Sequence, residues 1–243
     1  MASNKKLSKA AQARVKTYSA KSSAVENNTK QRKRDNRLAL IAGFASLGIA
    51  LGSQFLYANL TSTAFDRPTS VPSSAVAENR EWNGSMTVNK TDLQFTLHGA
   101  LAPQGVSNFI ALANSKFYDG LNCHRITTAG IYVLQCGDPV GDGTGGPGYS
   151  WGPIENAPKG DIYPAGTIAM ARQSGNGSSM GSQFFIVYKD STIPSDSVGG
   201  YSVIGNVTAG LGIVELISGE GTLEGSTDGH PKNKVTLSNV HVK

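Results

Sequence analysis

Two stretches of this chain hold the residues that could do chemistry. The first, Phe117 to Trp151, contains a His124-Arg125 pair, a β-branched apolar run, Gln135, and a loop with glycines at 137, 141, 143, 145, 146 and 148. The second, Gly166 to Tyr188, contains Arg172, Gln183 and Phe184-Phe185. An arginine is always charged and presents a rigid fork of N–H donors. Set among neutral amides and apolar strands, it is a fixed donor beside an apolar slot, and the two stretches read as halves of one pocket. Singly, each residue has a plainer reading: a lone Arg between apolar strands is commonly a salt-bridged surface residue, and Phe-Phe is commonly strand core. Their joint occurrence favours a site.

Two shorter motifs compete for attention. Gly141-Asp142-Gly143-Thr144-Gly145-Gly146 satisfies G-x-G-x-x-G, but a dinucleotide site needs those glycines to open a helix onto the pyrophosphate. Pro147-Gly148-Tyr149-Ser150-Trp151-Gly152-Pro153 follows instead and cannot be a helix. Gly177-Ser178-Ser179-Met180-Gly181 satisfies G-x-S-x-G, with Asp228 and His230 downstream, so a serine hydrolase centred on Ser179 is carried as a distant alternative. The stretch after that serine, SQFFIVY, has strand composition where a nucleophile elbow needs a helix. Four scattered histidines and no CxxC give no metal-ligand spacing, and no cofactor is expected.

The elements that would position the pocket are many and short. The chain has 243 residues, 29 of them glycine, with 16% charged, which fits a loop-rich β domain. Trp82 to Leu97 alternates as a hairpin, with turns at Asn83-Gly84 and Asn89-Lys90. Ala102-Pro103 opens a helix that ends near Lys116-Phe117. Strands are expected at 123–126, 131–135, 166–171, 183–188 and 201–204, a second helix at 211–217, and a closing strand at 234–242. Short strands with only two helices imply an antiparallel barrel or sandwich.

The net charge of +5 is segregated. Residues 1–37 hold eleven of the 22 Lys and Arg against Glu26 and Asp35, a balance of +9, which leaves −4 for the remainder. The basicity therefore belongs to a tail that cannot bury a core, and a nucleic-acid-binding domain is not implied. Residues 38–58 (LALIAGFASLGIALGSQFLYA) carry no charge, enough at about 1.5 Å per residue to cross a hydrocarbon layer of about 30 Å. Lys and Arg directly before them are the positive-inside pattern. A cytoplasmic tail over 1–37, a transmembrane anchor over 38–58, a Ser/Thr/Pro linker over 59–79 and an extracytoplasmic domain over 80–243 are expected. Cleavage near Ser62-Thr63-Ala64, releasing the domain, is the alternative. Cys123 and Cys136 are the only cysteines; an exported domain permits a bridge, and buried free thiols beside apolar strands are equally compatible.

Taken in order, His124-Arg125, Gln135-Cys136-Gly137-Asp138-Pro139, GTGGPGY, Met170-Ala171, Gly181-Ser182-Gln183-Phe184-Phe185 and Ile204-Gly205 resemble the cyclophilins, from about Trp82 to Val242. The wording of TTAGIYVLQCGDP is similar to the bacterial, especially actinobacterial, branch. The resemblance implies a closed eight-stranded antiparallel barrel capped by two helices and peptidyl-prolyl cis-trans isomerase activity without cofactor. It implies proline-containing peptides and exported proteins as partners, and a monomeric domain. It implies Arg125 as catalytic donor, with Gln135 orienting it or binding the substrate backbone. Gln183 would bind the extended peptide, Phe185 would form the pocket floor, and Tyr132 and Val133 its walls. Ala171 and Arg172 would present backbone groups, and His124 would serve packing. A peptide-binding module of the same fold with little turnover is the nearer alternative, against which Arg125 argues. The chain departs from the common pattern at Arg172 (often Asn), at Tyr201 (often His), and around 191–194, where no Trp stands and Ile193 is the nearest apolar wall. Without that Trp, tight cyclosporin binding is not expected.

Overall fold

The computed structural model describes residues 67–243 and, before them, residues 16, 17, 21, 27, 28, 30–34 and 36, which are helical. The segment 38–58, expected as a membrane anchor, lies outside the described residues, as do most of the tail and residues 59–66 of the expected linker. Among the described residues no helix is long and apolar enough to cross a membrane. Residues 1–63 form one unit and residues 64–243 another; the second holds the sheet.

That unit is built on nine strands: β1 (Glu81–Val88), β2 (Thr91–His98), β3 (Arg125–Thr127), β4 (Val133–Cys136), β6 (Thr167–Met170), β7 (Phe184–Val187), β9 (Val203–Ala209), β10 (Asp228–Gly229) and β11 (Leu237–Val242). Their order across the sheet is β10-β3-β4-β7-β6-β9-β2-β1-β11, and each pairing is antiparallel. A separate ribbon pairs β5 (Ile162–Tyr163) with β8 (Ser191–Thr192). Two α-helices pack with the sheet, α1 (Pro103–Asn114) and α2 (Gly212–Glu220).

The expectation of a closed eight-stranded barrel is corrected: the sheet has nine strands and stays open, with β10 and β11 at its edges. Among the described residues, the isolated bridge Asn122↔Thr236 and a few neighbouring backbone bonds span the gap. β10 is only two residues long. It is confined between Gly225, whose φ is +71°, and Pro231, which has no N–H to donate.

The β1–β2 hairpin turns at Asn89, whose φ is +56°. Asn83-Gly84 is not a turn but lies inside β1, paired on both sides. Gly84 serves close approach there, since a Cβ would sit 2.4 Å from the Phe95 ring. Pro103 starts α1, as its fixed φ favours. No local side chain caps that helix; the Glu155 carboxylate instead accepts from the Gln104 and Gly105 amides at 3.0 and 2.9 Å. A carboxylate at a helix N-terminus also meets the positive end of the dipole. The ordered chain reaches back before residue 80: Ala77 is fully buried, its amide donates to the Ser107 hydroxyl, and that hydroxyl donates to the Ser74 carbonyl.

One face of the sheet carries the main core, including Ile126, Leu134, Phe184, Ile186, Ile168 and Met170, with Phe109 of α1 against Phe95, Tyr118 and Phe184. The opposite face carries a second, smaller cluster of Val133, Tyr163, Ala169, Phe185, Val187 and Ile193. The two sets alternate along β4, β6 and β7, as the two-residue period of a β-strand requires.

Candidate functional site

A single cross-strand row runs Arg125↔Gln135↔Phe185↔Ala169↔Val203 through β3, β4, β7, β6 and β9. Directly paired residues share a face of the sheet. The row therefore sets a charge, an amide, an aromatic ring and two small apolar groups side by side over the second cluster. Above it lies a cavity of about 110 Å³. Phe185 is buried at its base, with Tyr201 edge-on to the ring at 5.4 Å between centroids. Val133, Ile131, Ile193 and Ala171 supply apolar walls, and Arg125 and Gln135 bound it on the polar side.

Tyr132 does not reach this cavity. It faces the main core, edge-on to Tyr188 at 5.8 Å with the Lys189 ammonium over its ring. Ile131 takes the wall in its place. The expected pair Tyr132 and Val133 is thus corrected to Ile131 and Val133, since adjacent residues of an extended strand point to opposite faces.

The guanidinium of Arg125 is held on two sides. Nε and Nη2 donate to the two carboxylate oxygens of Asp228, both at 2.8 Å, and Nη1 donates to Oε1 of Gln135 at 3.2 Å. Gln135 in turn donates from Nε2 to Oε1 of Gln183 at 2.8 Å. Gln183 donates from its own Nε2 to the carbonyls of Gly143 and Gly145. The chain of amides has one direction of donation throughout, which fixes how each side chain is turned. The hydrogen bonds to Asp228 push the Arg125 pKa up and hold that of Asp228 below the usual carboxylate range.

Gln183 lies outside the smaller cavity, in a neighbouring groove of about 370 Å³ that shares Gln135, Ala171 and Arg172 with it. The glycine loop 143–146 forms one bank. The Asp138 carboxylate ties that loop down, accepting from the amides of Val140, Asp142 and Gly143. A Cβ at Gly145 would collide with the same carboxylate.

Arg172 contributes more than backbone. Its side chain is only 1% exposed, and Nη1 and Nη2 donate to the Asp196 carboxylate at 2.8 and 2.9 Å. Nε donates to the Gly200 carbonyl, and the guanidinium stands 4.9 Å from the centre of the Tyr201 ring. Asp196 also accepts from the amides of Gly175 and Val198, and its pKa is held far below the ordinary carboxylate range, first by Arg172. This ion pair sets the loop that carries Tyr201. The Tyr163 hydroxyl adds a further hold, accepting from the Tyr201 amide at 2.8 Å.

His124 is buried, 7% exposed, with neither ring nitrogen hydrogen-bonded. Burial lowers its pKa, so the ring is neutral at pH 7. Ser179 is no nucleophile: its hydroxyl donates to the Asn176 carbonyl at 2.7 Å and accepts from the Gln173 amide at 2.8 Å. Asp228 and His230 are engaged with Arg125 and Glu224, and strand β7 follows the motif. No group of His, Cys, Asp and Glu among the described residues could hold a metal ion. Cys123 and Cys136 are joined by a disulfide, which answers the question the sequence left open. Both of its cysteines belong to the main core.

Asp228 is the residue that sequence reasoning missed as part of the site. It is 103 residues from Arg125, and the sequence marks it only as the downstream acid of the serine-hydrolase alternative, not as a partner of Arg125.

Residues 84–242 match the family model "Cyclophilin type peptidyl-prolyl cis-trans isomerase/CLD". The chain is 42% identical over 168 residues to a probable peptidyl-prolyl cis-trans isomerase B of Mycobacterium tuberculosis, covering 64% of this chain and 53% of that protein. It is 40% identical over 129 residues to peptidyl-prolyl cis-trans isomerase B of Bacillus subtilis, covering 52% of this chain and 82% of the relative. The crystal structure of a Cryptosporidium parvum cyclophilin type peptidyl-prolyl cis-trans isomerase superposes with TM-score 0.56 at 25% identity, covering 67% of this chain and 98% of that one. A second structure of that protein, in the presence of the dipeptide Ala-Pro, gives 0.56 at 26%, covering 66% and 98%. The chain spans about half the length of the mycobacterial relatives it matches.

Proposed function

The chain belongs to the cyclophilin-type peptidyl-prolyl cis-trans isomerase family, and from that premise we propose that it isomerises X-Pro bonds, acting on exported proteins as they fold. The observation that carries this reading is the Arg125 guanidinium at the edge of an apolar cavity floored by Phe185. The barrier between cis and trans is about 18–20 kcal/mol and comes from amide resonance. No covalent bond need break. The cavity holds the proline ring, and Phe185, Val133, Ile131 and Ile193 exclude water around it. The twisted amide has a pyramidal nitrogen with a free lone pair, and a fixed N–H of Arg125 stabilises that state more than either planar one.

In this reading Gln135 orients Arg125, Gln183 and the backbone at Ala171 and Arg172 hold the extended peptide, and Tyr201 closes the rim. The crystal structure of the Cryptosporidium relative with Ala-Pro supports a proline-containing ligand. The uncharged segment 38–58 behind a basic tail supports a single-pass anchor with the N-terminus in the cytoplasm and the catalytic domain, as a monomer, outside. The disulfide suits that oxidising side of the membrane. Cleavage after the segment would release the same domain.

The test follows cis–trans exchange of a short Xaa-Pro peptide by NMR, with the full chain in detergent micelles and with its Arg125→Ala variant. The native chain accelerates exchange, and Arg125→Ala loses about 10²–10³ of that acceleration. Binding of the peptide with exchange at its spontaneous rate would overturn the isomerase reading and leave a peptide-binding module.

A further inference from the structure

We infer that Asp228 is a positioning residue for isomerisation, fixing the plane and the free edge of the Arg125 guanidinium. This rests on the isomerase reading above. A guanidinium has five N–H groups. Asp228 engages Nε and one N–H of Nη2, and Gln135 engages one N–H of Nη1. One N–H on each Nη is left for a ligand in the adjoining cavity. Gln135 alone would leave the fork free to swing about its long stem. The bidentate carboxylate removes that freedom, because two parallel bonds define a plane.

The backbone that carries this carboxylate is itself held. Asp228 and Gly229 pair with Thr127 and Ile126 of β3, the strand that bears Arg125. The Ser226 hydroxyl donates to the Asp228 carbonyl, and the Thr222 hydroxyl donates to the Ser226 carbonyl, both at 2.6 Å. The Glu224 carboxylate accepts from the His230 amide at 3.0 Å and bonds its ring Nδ1 at 2.6 Å, and the Leu223 amide donates to the His230 carbonyl. A turn bound at so many points fixes the Cα from which this carboxylate reaches Arg125. The side chains of Arg125 and Asp228 are 37% and 53% exposed, so their ion pair adds little to stability. Its consequence falls on geometry.

The experiment measures kcat and KM of the full chain by peptide exchange, beside Asp228→Ala and Asp228→Glu, with the Arg125 Nε–H resonance followed by ¹⁵N NMR. Asp228→Ala is expected to lower kcat on the order of ten- to a hundredfold, the cost of a misplaced catalytic group. KM should stay near native, and melting should fall within about 4 °C of native. The Arg125 Nε–H signal should lose its protection from solvent exchange. Asp228→Glu, which keeps a bidentate acceptor, should recover part of kcat and of that protection. Native kcat in Asp228→Ala would overturn the inference and leave the isomerase reading intact, as would a loss that comes without any change in the Arg125 signal. A native chain that does not accelerate exchange would instead overturn the isomerase reading itself.

Discussion

Reduction of the Cys123–Cys136 bridge should cost this protein a definite amount of stability. The two cysteines are 13 residues apart in sequence. In the chain-entropy account, opening a loop of this length returns to the unfolded state freedom equivalent to about 3 kcal/mol. Both residues are buried, at 3% and 0% exposure, so the reduced thiols stay within the core and must move apart there, which adds a packing cost to the entropic one. In a domain of this size each kcal/mol moves the melting temperature by about 2–4 °C, giving a fall of about 6–12 °C. The assay is thermal melting of the full chain with and without a phosphine reductant, beside the Cys123→Ala/Cys136→Ala double variant. Reduced native protein and double variant should fall together, the variant slightly further because it also loses two buried sulfurs. Two thiols alkylated in the denatured, unreduced protein would refute the bridge. A bridge present by mass but a melting temperature unmoved by reduction would refute the entropic reasoning.

Phe185→Ala removes the cavity floor; it should raise KM and cost about 3–5 kcal/mol of stability, read from peptide titration and urea unfolding. The Asp196 carboxylate is held far below its ordinary pKa by Arg172, so its contribution to stability is full above the unfolded-state pKa and is lost as pH falls through the folded one. The Gly175 and Val198 amides that donate to it should therefore keep their NMR shifts through the usual carboxylate range and move only in stronger acid; movement near pH 4 would contradict this. His124 has a lowered pKa because burial disfavours its charged form. Below about pH 6.5 the unfolded chain binds a proton that the folded one resists, so stability declines as pH falls from there. His124→Gln should flatten that decline in urea midpoints measured from pH 7 to 5.

Apolar periodicity was enough to locate the hairpin, both helices and most strands, because alternation and amphipathic spacing are local consequences of which side chains must leave water. Boundaries drifted where hydrogen bonding outweighed composition: 201–204 was expected as a strand, and β9 runs Val203–Ala209 because β2 and β6 pair with it there. Gly84 read as a turn residue because its sequence shows flexibility, whereas its place is set by the Phe95 ring across the hairpin. The resemblance implies Tyr132 beside Val133 in the cavity wall, whereas pairing of Val133 with Val187 of β7 turns Val133 to the cavity and leaves its neighbour on the other face.

By itself the sequence determined a β-rich domain and a segregated basic tail before an uncharged segment, which follow from residue type and near-neighbour spacing. The side chains of an apolar slot with a fixed donor came from the resemblance of its ordered motifs to the cyclophilins. Only the tertiary structure decided that Asp228 meets Arg125, that Arg172 and Asp196 lock the rim at Tyr201, that the two cysteines join, and that the sheet stays open. Each of those depends on register between segments distant in the chain, and register is settled by the summed packing and hydrogen bonding of the whole sheet, which no local pattern encodes.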